Sequence, residues 1–263
     1  MSTGYTPIVC PPNMSLAPTD YNFGISTNYS FASTISCSDE EARKMYVRAF
    51  GHMLNYNHEE AIACFSKCTE LDPTCAMAWW GIAYCVSSNY NWTPGFASGY
   101  DPIQQAISLK DGCTELEQDL IDALAERHSE AARDAANPAE LNMGNSPELN
   151  IAFAHAMAPL YEKYNGNLDV AAIYVEALMN LNAWQLWNKD TKTGVITPLD
   201  DNTLLCIQVM EEAFETVEGA REHVALCHLY CHTLELSPYP EKALPAADVL
   251  RTLMPGMGHL VHM

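Results

Sequence analysis

The sequence predicts an all-α protein built from about five antiparallel helical hairpins. From Ser38 onward, apolar side chains recur at helical spacing, and we find no stretch with the alternation typical of a strand. One such stripe consists of Ile151, Ala154, Met157, Leu160 and Tyr161. Short linkers such as Asp72-Pro73 and Ser237-Pro238 favour antiparallel neighbours. Periodicity and linker length therefore indicate the same fold class.

The helical region is expected to follow an irregular N-terminal arm. Residues 1–37 are rich in Pro, Ser, Thr, Asn and Gly, whereas 38–263 form the predicted helical domain. Ser38 and Glu41 match a capping box at the first helix. Two interruptions, 89–95 and 189–201, are expected to be loops that line a site or neutral insertions. The predicted helices span 39–55, 58–70, 74–88, 101–110, 114–136, 148–164, 168–187, 201–217, 221–236 and 239–253.

Composition restricts the classes of function. Thirteen basic and 33 acidic residues give a formal charge of −20, which disfavours nucleic acid as a partner. No apolar run approaches the roughly 18 to 20 residues of a membrane span, so no membrane association is expected. The N-terminus also lacks the basic and apolar regions of a secretory signal. We therefore expect an intracellular, cytoplasmic protein whose partner is neutral or basic.

The ten cysteines are scattered and include no CxxC pair. This spacing is unlike a zinc ribbon or a thioredoxin-type redox motif. We therefore interpret them as small buried thiols in a reducing compartment. Cys227 and Cys231 form an i,i+4 pair that is expected to pack in the core.

A repeat signature runs through the first hairpins. Ala61, Phe65 and Pro73 match the A-x3-F…P half of the tetratricopeptide repeat, which is about 34 residues long. Trp79 then stands at the aromatic position of the next repeat, and Ile82 and Ala83 follow at its L-G pair. The chain thus resembles tetratricopeptide-repeat proteins, which implies a right-handed superhelix of stacked hairpins with a concave groove.

Three longer stretches resemble an uncharacterised branch of that repeat family with a GHLVHM-type histidine motif. They are AWWGIAYCVSSNYNWTP, DVAAIYVEALMNLNAWQLW and the segment from HLYCHTLELSPYP to GHLVHM. The resemblance covers about residues 40–263. Members of that branch continue with P-[ST]-H-I and further repeats, so the resemblance implies that the natural chain extends beyond Met263.

Four of the nine histidines crowd the C-terminal third of the chain: His228, His232, His259 and His262. The first two are four residues apart on one predicted helix and share a face. In the repeat register set by Ala243 and Pro255, the resemblance places all four histidines on the concave groove. Glu176, on the first helix of the preceding repeat, is expected to face the same groove. Such a set suits zinc, iron or copper, but groove histidines can equally form a polar peptide-binding surface.

Two functions therefore stay open, beside a third possibility that the chain is only an assembly module without a functional site of its own. The first is a scaffold that binds a protein or peptide partner in its groove, with Trp80 and Tyr84 at one end and Glu176, His228 and His232 at the other. An exposed Trp80 would favour this function, and a buried one would assign it to the core. The second is a metal-dependent enzyme that uses the four histidines. The absence of an HExxH motif removes the most specific support for a metallohydrolase. The sequence also has no GxGxxG, P-loop or GxSxG motif for nucleotide binding or α/β-hydrolase chemistry.

Overall fold

The computed structural model describes residues 32, 34–87, 89–91, 99–128, 130 and 147–263. Over these residues the protein is predominantly helical, as predicted. The helices are α1 (Glu40–Leu54), α2 (His58–Leu71), α3 (Ala76–Cys85), α4 (Tyr100–Leu109), α5 (Glu115–Ala125), α6 (Pro147–Lys163), α7 (Leu168–Met179), α8 (Asp201–Thr216), α9 (Val224–Leu234), α10 (Leu244–Leu253) and α11 (Gly258–His262). Among them, none combines the length and the apolar character that crossing a membrane requires.

In the described part of the chain, three short 3₁₀ segments lie beside the helices, at Lys110–Gly112, Ala220–Glu222 and Pro240–Ala243. The last two begin regions that were predicted as continuous helix. Most of the predicted arm 1–37 lies outside the described residues. Near its end, Ser36 donates hydrogen bonds from its backbone amide and hydroxyl to the two carboxylate oxygens of Glu117, each at 2.6 Å. The residues just before α1 are therefore tied to α5.

The first helix begins one residue later than the predicted capping box requires. Asp39, not Ser38, is the N-cap of α1, and its carboxylate accepts a hydrogen bond from the amide of Ala42. The Ser38 hydroxyl donates instead to Asp72 at 2.7 Å. A capping box does form at α5, between Thr114 and Glu117.

The predicted helix 168–187 is wrong in its second half. Helix α7 ends at Met179, and Trp184 has a positive φ of 61°, which no α-helix accommodates. Trp187–Lys189 (β1) then pairs antiparallel with Ile196–Pro198 (β2), with Trp187 opposite Pro198. No strand is predicted from the sequence, so this hairpin departs from that expectation. Similarly, α5 ends at Ala125, not at 136, although residues 131–146 lie outside the described part.

Successive helices pack against one another along the chain, and α1 with α3, α3 with α5 and α7 with α9 also touch. Small residues allow the closest approaches. Gly81 on α3 faces the ring of Phe65 on α2 so closely that an added Cβ would lie 2.5 Å from the ring. Trp80 is fully buried beside it, and its indole N–H donates to the carbonyl of Leu120 at 3.0 Å.

The last helices also touch the end of the first one. The amide of Leu260 in α11 donates to the side-chain oxygen of Asn55, just after α1, at 3.3 Å. His228 in α9 lies 3.1 Å from the carbonyl of Leu54 through its Nδ1. In an open solenoid each repeat contacts only its neighbours. Here the end of α1 also contacts α9 and α11, which are far from it in the sequence.

Candidate metal centre

Three imidazoles converge where α9 and α11 meet the end of α1. Nε2 of His228 lies 2.9 Å from Nε2 of His259, and Nε2 of His232 lies 3.5 Å from the same atom. One ring nitrogen from each of the three lies within 4.8 Å of the others. A zinc–nitrogen bond of about 2.0–2.1 Å implies nitrogens roughly 3.3 to 3.4 Å apart around a tetrahedral ion. The two measured separations bracket that value, so the cluster could hold a metal ion.

The second nitrogen of two of these rings already has an acceptor. Nδ1 of His228 lies 3.1 Å from the Leu54 carbonyl, and Nδ1 of His232 lies 2.9 Å from a carboxylate oxygen of Glu235. A carbonyl and a carboxylate can only accept, so both Nδ1 atoms carry the proton when the ring is neutral. Each Nε2 then presents its lone pair to the shared centre. Orientation of this kind by outer partners is typical of metal-ligating histidines.

Asn91 also contacts the histidine cluster, and the contacts within the cluster cannot then all be hydrogen bonds. Its Nδ2 lies 3.0 Å from Nε2 of His232 and 3.2 Å from Nε2 of His259. If His259 donates to His228, its contact with the Asn91 amide joins two donors. If it accepts from Asn91, its contact with His228 joins two lone pairs. No tautomer of His259 satisfies both contacts.

Turning the Asn91 amide over does not remove the conflict. Its oxygen would then face the lone pair of His232 at the 3.0 Å position. As the amide stands, the oxygen of Asn91 is buried without a hydrogen-bond partner. A cation at the centre would satisfy three imidazole nitrogens and, with the amide turned, that oxygen.

Protonation of the imidazoles does not resolve these inconsistent hydrogen bonds near neutral pH. Burial, reinforced by His232 and His259, holds the pKa of His228 well below its usual range. Burial and its neighbours His232 and His262 lower the pKa of His259 to about 4. Both rings are therefore neutral at pH 7, which is the state that binds a metal.

Aromatic rings enclose the cluster. The Tyr56 ring lies 4.6 Å from that of His228 and 5.8 Å from that of His259, and Trp184 meets His232 at 6.1 Å. Within the described ranges, Tyr56 and Trp184 are the non-glycine residues with positive φ, at 58° and 61°. Such backbone conformations cost about 1–3 kcal/mol and concentrate at functional sites. Both are found here against one cluster.

The fourth predicted histidine does not join the other three. His262 is exposed, and its ring lies 6.4 Å from that of His259 at the end of α11. His262 lies three residues beyond His259, at the exposed end of α11, and its ring is not part of the group of converging nitrogens. His259 itself is half-buried, so the centre lies near the surface on its α11 side.

The predicted groove residues are interior. Trp80 is 0% exposed and Tyr84 2%, so by the criterion set above Trp80 belongs to the core. Glu176 is also buried and accepts a hydrogen bond from the Tyr84 hydroxyl at 2.6 Å. Burial raises its pKa. Glu176 lines a small internal cavity with His228, but the metal-ligating group is formed without it. Trp80 packs against α5 and Tyr84 meets Glu176 of α7, so packing of α3 against these helices encloses the side chains.

Sequence reasoning missed several residues of this centre. Glu235 had a usable signal, because it follows His232 by three residues and shares its helical face. Asn91 lies in the interruption 89–95 that was expected to line a site, but nothing in its spacing selects it. Tyr56, Trp184 and the Leu54 carbonyl depend on contacts between distant segments and left no local signal.

A separate surface cleft of about 390 Å³ lies between α8, α9 and α10. Its walls include Phe214, Tyr230 and Val249, together with the charged side chains of Glu211 and Lys242. None of the clustered histidines borders it, so the cleft is distinct from the metal-ligating group. The two predicted core thiols, Cys227 and Cys231, are buried.

No family model, curated protein or solved structure matches this chain. The likeness to tetratricopeptide-repeat proteins therefore stays a prediction.

Proposed function

We propose that this protein binds one transition-metal ion through His228, His232 and His259, and that the bound ion serves a metal-dependent enzyme activity. The observation that carries the proposal is the convergence of the three Nε2 atoms, with Nδ1 of two rings engaged by acceptors. Imidazole ligands suit zinc, iron and copper alike. Because all the proposed protein ligands are imidazole nitrogens, the site does not distinguish among these three metals.

The enzyme assignment rests on the number of ligands. Structural zinc sites are closed by four protein ligands, whereas catalytic sites use three and keep a position for water or substrate. Here three imidazoles converge, and the amide of Asn91 lies beside them with its Nδ2 3.0 Å from His232 and 3.2 Å from His259, so its oxygen would ligate an ion only with the amide turned. A neutral amide is a weaker ligand than a carboxylate or thiolate and can yield to an incoming molecule. The half-buried face of His259 provides the approach.

We further propose that the helices form a tetratricopeptide-like superhelix. Support comes from the sequential packing of helices and from the contacts of α1 with α3, α3 with α5 and α7 with α9. Binding of a protein or peptide partner in a concave groove stays a prediction. The five side chains first assigned to that groove are buried, so such a partner would need another surface.

Metal content and ligand exchange test the proposal together. Protein purified without a His tag should take up one ion at this centre, and His259→Ala should abolish that uptake. His155→Ala is the matched control, because His155 is exposed on α6. Equal uptake by both variants would exclude the three-histidine site. With Co²⁺ in the site, added azide should shift the visible absorption bands; an unchanged spectrum would mean that the site is closed and not catalytic.

A further inference from the structure

A second group of potential metal ligands lies at the other end of the first hairpin. Cys37 precedes α1, Cys68 is in the last turn of α2, and Cys75 is the N-cap of α3. Their three sulfur atoms lie within 4.8 Å of one another, and all three residues are buried. The spacing of these cysteines along the chain gave no hint of this, because Cys37 comes from a segment outside the hairpin.

The separations suit a thiophilic cation. A zinc–sulfur bond of about 2.3 Å places sulfurs roughly 3.8 Å apart around a tetrahedral ion, so the group needs to contract by about 1 Å at most. Thiolates select Zn²⁺ and Cu⁺ over harder ions. Of the nine cysteines described, these three form the thiol group that meets this distance; Cys206, also buried, contacts the Val175 carbonyl instead.

Without a bound cation the thiols of this group are protonated. The Cys68 side chain and burial raise the pKa of Cys75 well above its usual value. Burial, with Cys75 nearby, raises the pKa of Cys37 to about 12, so without a cation this thiol is protonated.

Asp72 holds the two loops that carry Cys37 and Cys75. One of its carboxylate oxygens accepts from the Ser38 amide and hydroxyl, each at 2.7 Å, and the other accepts from the Thr74 hydroxyl at 2.6 Å. The carboxylate lies 3.4 Å from the Cys37 sulfur. Because its oxygens already have donors, we treat Asp72 as a positioning residue, not as a ligand.

We propose that Cys37, Cys68 and Cys75 form a second metal site, which binds one Zn²⁺ or Cu⁺ ion as a three-thiolate complex. Each thiol loses its proton to solvent as its sulfur–metal bond forms, and no electron is transferred. The ion would link the segment before α1 to α2 and α3. This site is independent of the histidine centre, because the two share no residue and no loop.

The whole protein with the histidine centre removed provides the test. The His228→Ala/His259→Ala variant should still bind one Co²⁺ ion and show an intense thiolate-to-cobalt charge-transfer band in the near ultraviolet. Adding Cys75→Ser should remove the band and weaken binding at least tenfold, whereas adding Cys206→Ser should leave both unchanged. Absence of the band from the His228→Ala/His259→Ala protein would overturn the proposal without affecting the histidine site.

A measurement on the unaltered protein covers the case in which the cysteine variant fails to fold. Calorimetric titration with Zn²⁺ in buffers of different ionisation enthalpy gives the number of protons released. The thiol site should release about three protons per ion, whereas a three-imidazole site at pH 7.5 releases close to none. Parallel native mass spectra with Zn²⁺ and Cu⁺ under reducing conditions decide which ion binds more tightly. A titration without proton release, or a mass spectrum showing a disulfide after anaerobic purification, would contradict the proposed site.

Discussion

Replacing Glu235 should weaken metal binding at the histidine centre without removing a ligand. Its carboxylate lies 2.9 Å from Nδ1 of His232 and holds that ring with Nε2 toward the centre. Loss of such an outer partner typically costs 10- to 100-fold in metal affinity, or about 1.4 to 2.7 kcal/mol. The Glu235 side chain is 34% exposed, so solvent screens part of its charge. We therefore expect about tenfold for Glu235→Gln and up to about 100-fold for Glu235→Ala.

The two substitutions separate charge from orientation. Glutamine keeps an oxygen that can accept from Nδ1, whereas alanine leaves the ring free to turn. The assay is competition for Zn²⁺ against a chromophoric chelator at pH 7.5, restricted to the site that His259→Ala abolishes. Glu126→Gln, an exposed carboxylate at the end of α5, is the charge-matched control. If both Glu235 variants bound zinc as tightly as this control, the proposed orientation of His232 would be refuted.

Three further predictions concern pH and packing. The pKa values of His228 and His259 are lowered, so neither ring has to lose a proton to bind zinc between pH 7 and 5. At most one of the three ligands can then exchange a proton in this range. The logarithm of the zinc affinity, measured by chelator competition, should therefore fall by no more than one per pH unit as the pH is lowered. Burial lowers the pKa of His58 to about 4 in the folded state, so the unfolded chain binds more protons below pH 6.5. Urea titrations should show unfolding free energy falling between pH 6.5 and 4.5, and less steeply in His58→Gln than in an exposed control, His155→Gln. Gly81→Ala forces a Cβ against Phe65 and should destabilise the fold by about 1–2 kcal/mol, after the favourable helix propensity of alanine is included. Gly112→Ala, with open space around the added Cβ, should show no such loss in the same assay.

Helix existence was the feature that the sequence predicted best. The apolar stripe on 148–164 matches α6 at Pro147–Lys163, since a packed helix must bury one face at that period. The end of α7 could not be predicted the same way. The stretch after Met179 stays apolar enough to continue a helix, but the Trp187 indole N–H donates to the Thr233 carbonyl at 2.7 Å in another part of the chain. A tertiary contact of this kind overrides local propensity.

The candidate site also has a part that the sequence predicts and a part that depends on tertiary packing. His228 and His232 share a face because any helix places residues four apart together, and this much follows from spacing alone. The convergence of His259 with them required α11 to return to the end of α1. For Trp80, the position within the repeat could be predicted from the sequence, but its solvent exposure could not. Its burial depends on contact with Leu120 of α5, 40 residues away in the chain.

The sequence alone determined the helical fold class, the acidic charge and the pair of histidines on α9, because each depends on composition or on contacts within one helix. Tertiary structure decided which groups meet: Leu54 and Asn91 with the histidines, and Cys37 with the two thiols of the first hairpins. These groups are as much as 174 residues apart in the chain, as Leu54 and His228 are. Metal coordination requires ligand atoms placed to within a fraction of an ångström. Such placement results from the packing of distant helices, and no local pattern encodes it.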